Sequence, residues 1–102
     1  MDYISELKGC LDSEGRLTHY PAKRKKKLLA LAYLAEKIPA GVSYNEREFS
    51  ALLNSLHTFG DPATLRRELY DFFFVDRTEN GSSYTLNGEQ LPIEQLLERY
   101  CT

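Results

Sequence analysis

Along most of the chain apolar residues return every three to four positions, and only near residue 74 does the interval shorten to two. The first periodic segment, Asp2 to Leu11, spaces Ile4, Leu7 and Leu11 for a short helix weakened by Gly9. A loop follows through Ser13, Glu14 and Gly15. From Lys23 to Ile38 a broad stripe of Leu28, Leu31, Ala32, Leu34, Ala35 and Ile38 predicts the strongest helix, with Pro39 beyond its end. Leu29 and Tyr33 add apolar area on a second side, the pattern of a central helix.

The next helix carries full start chemistry. Asn45 can cap, Glu48 stands three residues later as its capping-box partner, and Tyr44 can staple against Phe49. Phe49, Leu52, Leu53 and Leu56 then keep helical spacing up to His57-Thr58-Phe59-Gly60. Asp61 restarts at once as a cap, with Pro62 at the first helical position, where a missing N–H costs nothing. Two helices joined so closely predict a helix-turn-helix unit. Period two then gives strands over Phe74–Glu79 and Ser82–Asn87 around Asn80-Gly81, a strong hairpin signal. This pairing sets Arg77 opposite Tyr84 and Val75 opposite Leu86. Pro92 opens a closing helix over Ile93–Tyr100.

The order of elements predicts an α+β, mostly α fold: a winged helix-turn-helix with a C-terminal β-hairpin wing and short terminal helices. Residues 1–102 form one domain, with an N-terminal helix and loop (1–19), a winged-helix core (20–87) and a C-terminal helix (88–102). Gly41-Val42-Ser43 is placed to add a small third strand.

The residues themselves resemble a known family. Tyr20-Pro21-Ala22-Lys23 with Lys25 to Lys27, Tyr44-Asn45-Glu46-Arg47-Glu48, Asp61-Pro62-Ala63-Thr64-Leu65-Arg66-Arg67-Glu68-Leu69 with Asp71, and Arg77 with Gly81 and Tyr84 are similar to the bacterial domain of unknown function numbered 2087. The resemblance spans about positions 19 to 86, and its Leu-Arg-Arg-Glu-Leu block is fairly specific. It implies a winged-helix-like fold and a link to transcription, but no settled biochemical role. The chain departs from the family pattern at Ser50, where asparagine is usual, and at Phe73, where glycine is usual. A glycine there would permit a left-handed cap that phenylalanine disfavours.

Composition is that of an ordinary globular protein, with 42% apolar and 27% charged residues. No apolar run approaches the roughly 20 residues that cross a bilayer, and the acidic start is unlike a targeting peptide. Cys10 and Cys101 lack CxxC spacing and read as reduced thiols in a cytoplasmic protein, a disulfide joining the ends being the rarer alternative. Net charge is −2, unevenly spread. Arg16 to Arg77 holds eleven Lys and Arg against seven Asp and Glu, while the ends hold two against eight. A basic middle suits a polyanion partner without requiring one.

Candidate contacts follow from a helical wheel on the segment after Asp61. It turns Leu65, Leu69 and Phe72 inward and Ala63, Thr64, Arg67, Tyr70 and Asp71 outward. In a DNA-binding winged helix the outward face enters the major groove. Arg67 is then placed to pair with guanine, worth about 1–3 kcal/mol of discrimination, and Thr64 to touch a base or phosphate. Arg66 lies to the side, where an ion pair with Asp76 or Glu48 competes. Asp71, four residues after Arg67, is positioned to neutralise it.

The run Lys23, Arg24, Lys25, Lys26 and Lys27, with Arg16 and His19, opposes the dipole of the helix it opens, so helix stability does not explain it and phosphate contact would. A solvated turn is the alternative. Arg77 and Tyr84 suit either a minor groove or a cross-strand cation–π pair. His19 and His57 stand apart from the cysteines in sequence, and no metal, cofactor or catalytic arrangement is expected. Two functions remain open. One is a non-enzymatic bacterial transcription regulator binding double-stranded DNA; the other is a module docking a protein regulator through Phe72, Phe73 and Phe74. A homodimer through Ile4–Leu11 and Ile93–Tyr100 is compatible with both.

Overall fold

The computed structural model describes residues 3–80, 82–90 and 92–101. Helix α1 is a single turn, Tyr3–Glu6, followed by a 3-10 turn over Lys8–Cys10. The continuous helix expected to Leu11 is therefore broken at Leu7. Leu11 leaves it to pair with Leu17, in a small loop closed by the Asp12 carboxylate, which accepts from the N–H groups of Glu14 and Arg16 at 2.9 and 2.8 Å. Gly15 closes this loop at φ +80°, and a β-carbon there would meet the Tyr33 hydroxyl at 2.9 Å. That hydroxyl donates to the Gly15 carbonyl at 2.8 Å, so the loop is fixed to the core at a position that requires glycine.

Helix α2, Arg24–Glu36, buries Leu28, Leu29, Ala30, Leu31, Tyr33 and Leu34, as its double-sided apolar pattern predicts. It stops two residues before the expected Ile38. The N–H groups of Lys37 and Ile38 turn to carbonyls three residues back, tightening the chain ahead of Pro39, which cannot continue a helix. Helix α5, Ile93–Cys101, packs on α2 with Leu96 buried between them.

Helix α3, Glu46–Asn54, starts on a complete capping box. The Asn45 side chain accepts from Glu48 N–H at 2.7 Å, and the Glu48 carboxylate accepts from Asn45 N–H at 2.9 Å. Tyr44 stacks on Phe49 with centroids 5.9 Å apart. Helix α4, Pro62–Asp71, starts on Asp61, whose carboxylate accepts from Thr64 N–H at 3.2 Å. It packs on α3 to give an adjacent helix pair.

Strands β1, Val75–Arg77, and β2, Tyr84–Leu86, pair antiparallel in the expected register, Val75 against Leu86 and Arg77 against Tyr84. Both are shorter than the sequence suggests. Beyond Arg77 the hairpin is held by side chains: Thr78 donates to Asn80 Oδ1 at 2.9 Å, and Ser82 donates to the same oxygen at 2.7 Å. Gly81, the expected partner of Asn80 in the turn, lies outside the described residues. The third strand expected at Gly41-Val42-Ser43 forms instead as one bridging residue, Tyr44, which exchanges two backbone hydrogen bonds with Tyr84 at 2.9 and 2.7 Å. Gly41 at φ +76° turns the preceding segment away. The described residues are α+β and mostly helical, with an antiparallel hairpin. No helix among the described residues is long and apolar enough to cross a membrane.

Candidate nucleic-acid interface

The α3–α4 corner is set by His57, which is 3% exposed. Its Nδ1–H donates to the Leu53 carbonyl at 2.6 Å, and its Nε2 accepts the Asp61 N–H at 2.9 Å. One imidazole thus adds a second donor to the Leu53 carbonyl, which also accepts from Leu56 N–H at 3.0 Å, and satisfies an N–H opening α4, and Phe59 packs on its ring at 4.4 Å. The same corner takes a strand partner from the N-terminal loop: Leu17 donates to Leu56 and accepts from Thr58, both at 2.9 Å. The Asp61 carboxyl is held below its ordinary pKa by hydrogen bonds from Thr64, with weaker help from the charge of Arg67. This favours the ionised cap.

Helix α4 presents the faces its wheel predicts. Leu65 and Leu69 are buried and Ala63, Arg67, Tyr70 and Asp71 exposed, whereas Thr64, expected outward, and Phe72, expected inward, are both half-buried. Arg67 forms no ion pair with Asp71; among the described residues it has no carboxylate within bonding distance. Arg66 does find a carboxylate, but neither Asp76 nor Glu48. Its guanidinium donates to Ser50 Oγ at 2.7 Å and pairs with Glu46 at 3.1 Å, because Glu48 is already engaged in the cap of α3.

Arg77 also differs from expectation. Although Tyr84 is its cross-strand partner, its guanidinium lies over the ring of Tyr70 on α4, 4.4 Å from the centroid. A cation–π contact therefore ties the hairpin to α4 rather than strand to strand. Between them opens a cleft of about 310 Å³ lined by Ala63, Thr64, Arg66, Arg67, Tyr70, Arg77 and Tyr84. Tyr84, 4% exposed, is stacked on Phe49 at 5.2 Å. Three arginines line this cleft, the Arg66 guanidinium being bound to Ser50 and Glu46 at its edge, and among the described residues no carboxylate lines it.

The basic run does not join that surface as a unit. Arg24 donates to the Tyr100 carbonyl on α5 at 3.4 Å, and Lys25 pairs with Glu6 of α1 at 3.4 Å. Lys27 reaches α4, where Glu68 takes it at 3.4 Å and Tyr20 donates to the same carboxylate at 3.1 Å. Burial, and then Glu68, push the Tyr20 phenol far above its ordinary pKa. Lys23 and Lys26 are exposed. Helix geometry explains the dispersal, since consecutive residues diverge by about 100° around the axis. Arg16 pairs with Asp12 at 2.8 Å and Glu14 at 3.1 Å.

The three successive phenylalanines separate as well. Phe74 is buried, Phe72 is half-buried edge-on to Tyr100 at 5.3 Å, and Phe73 is 59% exposed. Phe73 sits at φ +65°, the left-handed position of a Schellman cap. Its N–H donates to the Tyr70 carbonyl at 3.0 Å and that of Phe74 to the Leu69 carbonyl at 2.8 Å. Phenylalanine therefore adopts the conformation that glycine takes more readily.

His19 is not isolated from cysteine, as its distance along the chain suggests. Its Nε2 lies 3.2 Å from the Sγ of Cys10, a buried free thiol. The side chain of Cys101 lies outside the described residues. Among the described residues no three His, Cys, Asp or Glu side chains gather as a metal site would.

Over residues 16–86, more than half of the chain, the sequence matches the model of a family described as uncharacterized protein conserved in bacteria, DUF2087. Comparison with curated proteins and with solved structures returns no match to either.

Proposed function

The chain belongs to the DUF2087 family, whose description carries no activity, and from its geometry we propose that it is a winged-helix module that binds double-stranded DNA. In this reading α4 is the recognition helix, the β1–β2 hairpin is the wing, and Tyr44 is the residual third strand. One observation carries the proposal: Arg66, Arg67 and Arg77 line one cleft between helix and hairpin that no carboxylate among the described residues lines. Phosphate contacts supply most non-specific affinity for DNA, and guanidinium forks suit both phosphate and guanine.

Arg67 and Thr64 are the residues assigned to the groove, Arg77 and Arg66 to its edge. Lys23 and Lys26 supply distant positive charge, while Arg24, Lys25 and Lys27 are engaged within the fold. The alternative of a protein-docking module draws on Phe73 alone, because Phe74 is buried and Phe72 is packed on Tyr100. The test is fluorescence anisotropy of a labelled random duplex at low salt. Saturable binding that weakens in Arg67→Ala is expected. No change up to about 100 µM protein, the weak end of non-specific affinities, removes the proposal.

A further inference from the structure

We propose that the cleft between α4 and the hairpin is a site for a single phosphate group, whether carried by the DNA backbone or free in solution. This rests on the DNA-binding reading for one source of the phosphate but not for the other. Arg77 is held before any ligand arrives, because its guanidinium lies over the Tyr70 ring. A cation–π contact with one ring does not use up the five N–H donors of the guanidinium. Arg66 is fixed by Ser50 and Glu46, which occupy only some of the five N–H donors of a guanidinium. Glu46 is largely exposed on the far side of that pair, and such a partner is weakened by solvent. Arg67 is the group without a carboxylate, and the Thr64 hydroxyl lines the same wall.

Three arginines lining one concavity, with the donors that Arg66 has left beside those of Arg67 and Arg77, suit an anion with more oxygens than a carboxylate offers, and a tetrahedral phosphate meets that need. A cleft of about 310 Å³ is at the small end of ligand sites, wide enough for the phosphate and part of whatever bears it. Arg66 and Arg77 are already held in the unliganded protein, so binding loses less entropy than it would to three free arginines.

The experiment titrates inorganic phosphate into the protein at constant ionic strength, following arginine Nε–Hε signals by NMR, and repeats this with Arg67→Ala and Arg77→Ala. Both substitutions are on exposed side chains, and circular dichroism verifies folding. Saturable shifts are expected at Arg67 and Arg77, with affinity falling about tenfold in either variant, the scale of one charged hydrogen bond. In parallel, the slope of log K against log salt for duplex DNA is expected to decrease by about 0.9 in either variant, one phosphate contact.

If phosphate binds and DNA does not, the site stands and the DNA reading falls. If DNA binds with an unchanged slope in both variants and phosphate leaves the arginine signals unmoved, the site falls and DNA uses another surface. If neither binds, both fall.

Discussion

The left-handed conformation of Phe73 makes a sign reversal measurable. A residue with a β-carbon loses about 1–2 kcal/mol in this region, whereas glycine enters it freely. Replacing Phe73 by alanine keeps the β-carbon and removes the ring; replacing it by glycine removes both. The two variants share the loss of the partly exposed ring, so their difference isolates the backbone. Against the relief of 1–2 kcal/mol stands the extra freedom of glycine in the unfolded chain, about 0.5–1 kcal/mol. Taking the middle of each range leaves Phe73→Gly more stable than Phe73→Ala by about 0.75 kcal/mol, or about 3–6 °C in Tm for a domain of this size.

Ala51, exposed in the middle of α3, provides the control. There Ala51→Gly costs about 0.5–1 kcal/mol, so glycine and alanine exchange rank between the two positions. Differential scanning calorimetry on the variants, with urea melts for ΔG, measures both. If alanine is as stable as glycine at position 73, the backbone strain argued for the Schellman cap is absent.

Further outcomes follow from the α3–α4 corner. His57→Leu strands the Asp61 N–H and leaves the Leu53 carbonyl with only the Leu56 N–H; at about 1–3 kcal/mol for a stranded group, a loss of about 1–3 kcal/mol is expected in urea denaturation. A loss under about 0.5 kcal/mol, the level of an ordinary surface substitution, would contradict the capping role. The Asp61 carboxyl is more acidic folded than its ordinary 3.8, so the folded state binds that proton less readily than the unfolded chain. Its stabilisation is complete above that ordinary value and disappears as pH falls through the lower folded one. Asp61→Asn keeps an acceptor for Thr64 N–H without titrating, so the Tm gap between wild type and variant is expected to narrow on acidification below about pH 4; parallel curves count against it.

Local chemistry is what the sequence made readable. The α3 capping box needs only Asn45 and Glu48, three residues apart, and the structure contains both of its bonds. Register followed from Asn80-Gly81 because a two-residue turn leaves one way to pair Val75 with Leu86. Helix α4's faces followed from its period alone. What remained hidden depends on elements meeting in space. Arg77 has Tyr84 across the strand but chooses Tyr70, since α4 packs against β1 and brings that ring within reach. Arg66 goes to Glu46 because the closer guess, Glu48, caps its own helix. Cys10 and His19 meet because the Leu11–Leu17 bridge folds the chain back between them. The run from Lys23 to Lys27 reads as one charge cluster in one dimension and disperses among three helices in three.

Leu17 lends its backbone to the joint between α3 and α4 from about forty positions upstream. That joint is consequently not a portable cassette. A peptide cut from residue 45 to residue 72 keeps its caps and its apolar seam but loses the strand that braces its bend. In folding, each helix is free to nucleate from neighbouring residues, whereas the angle between them is a long-range property that waits on loop closure.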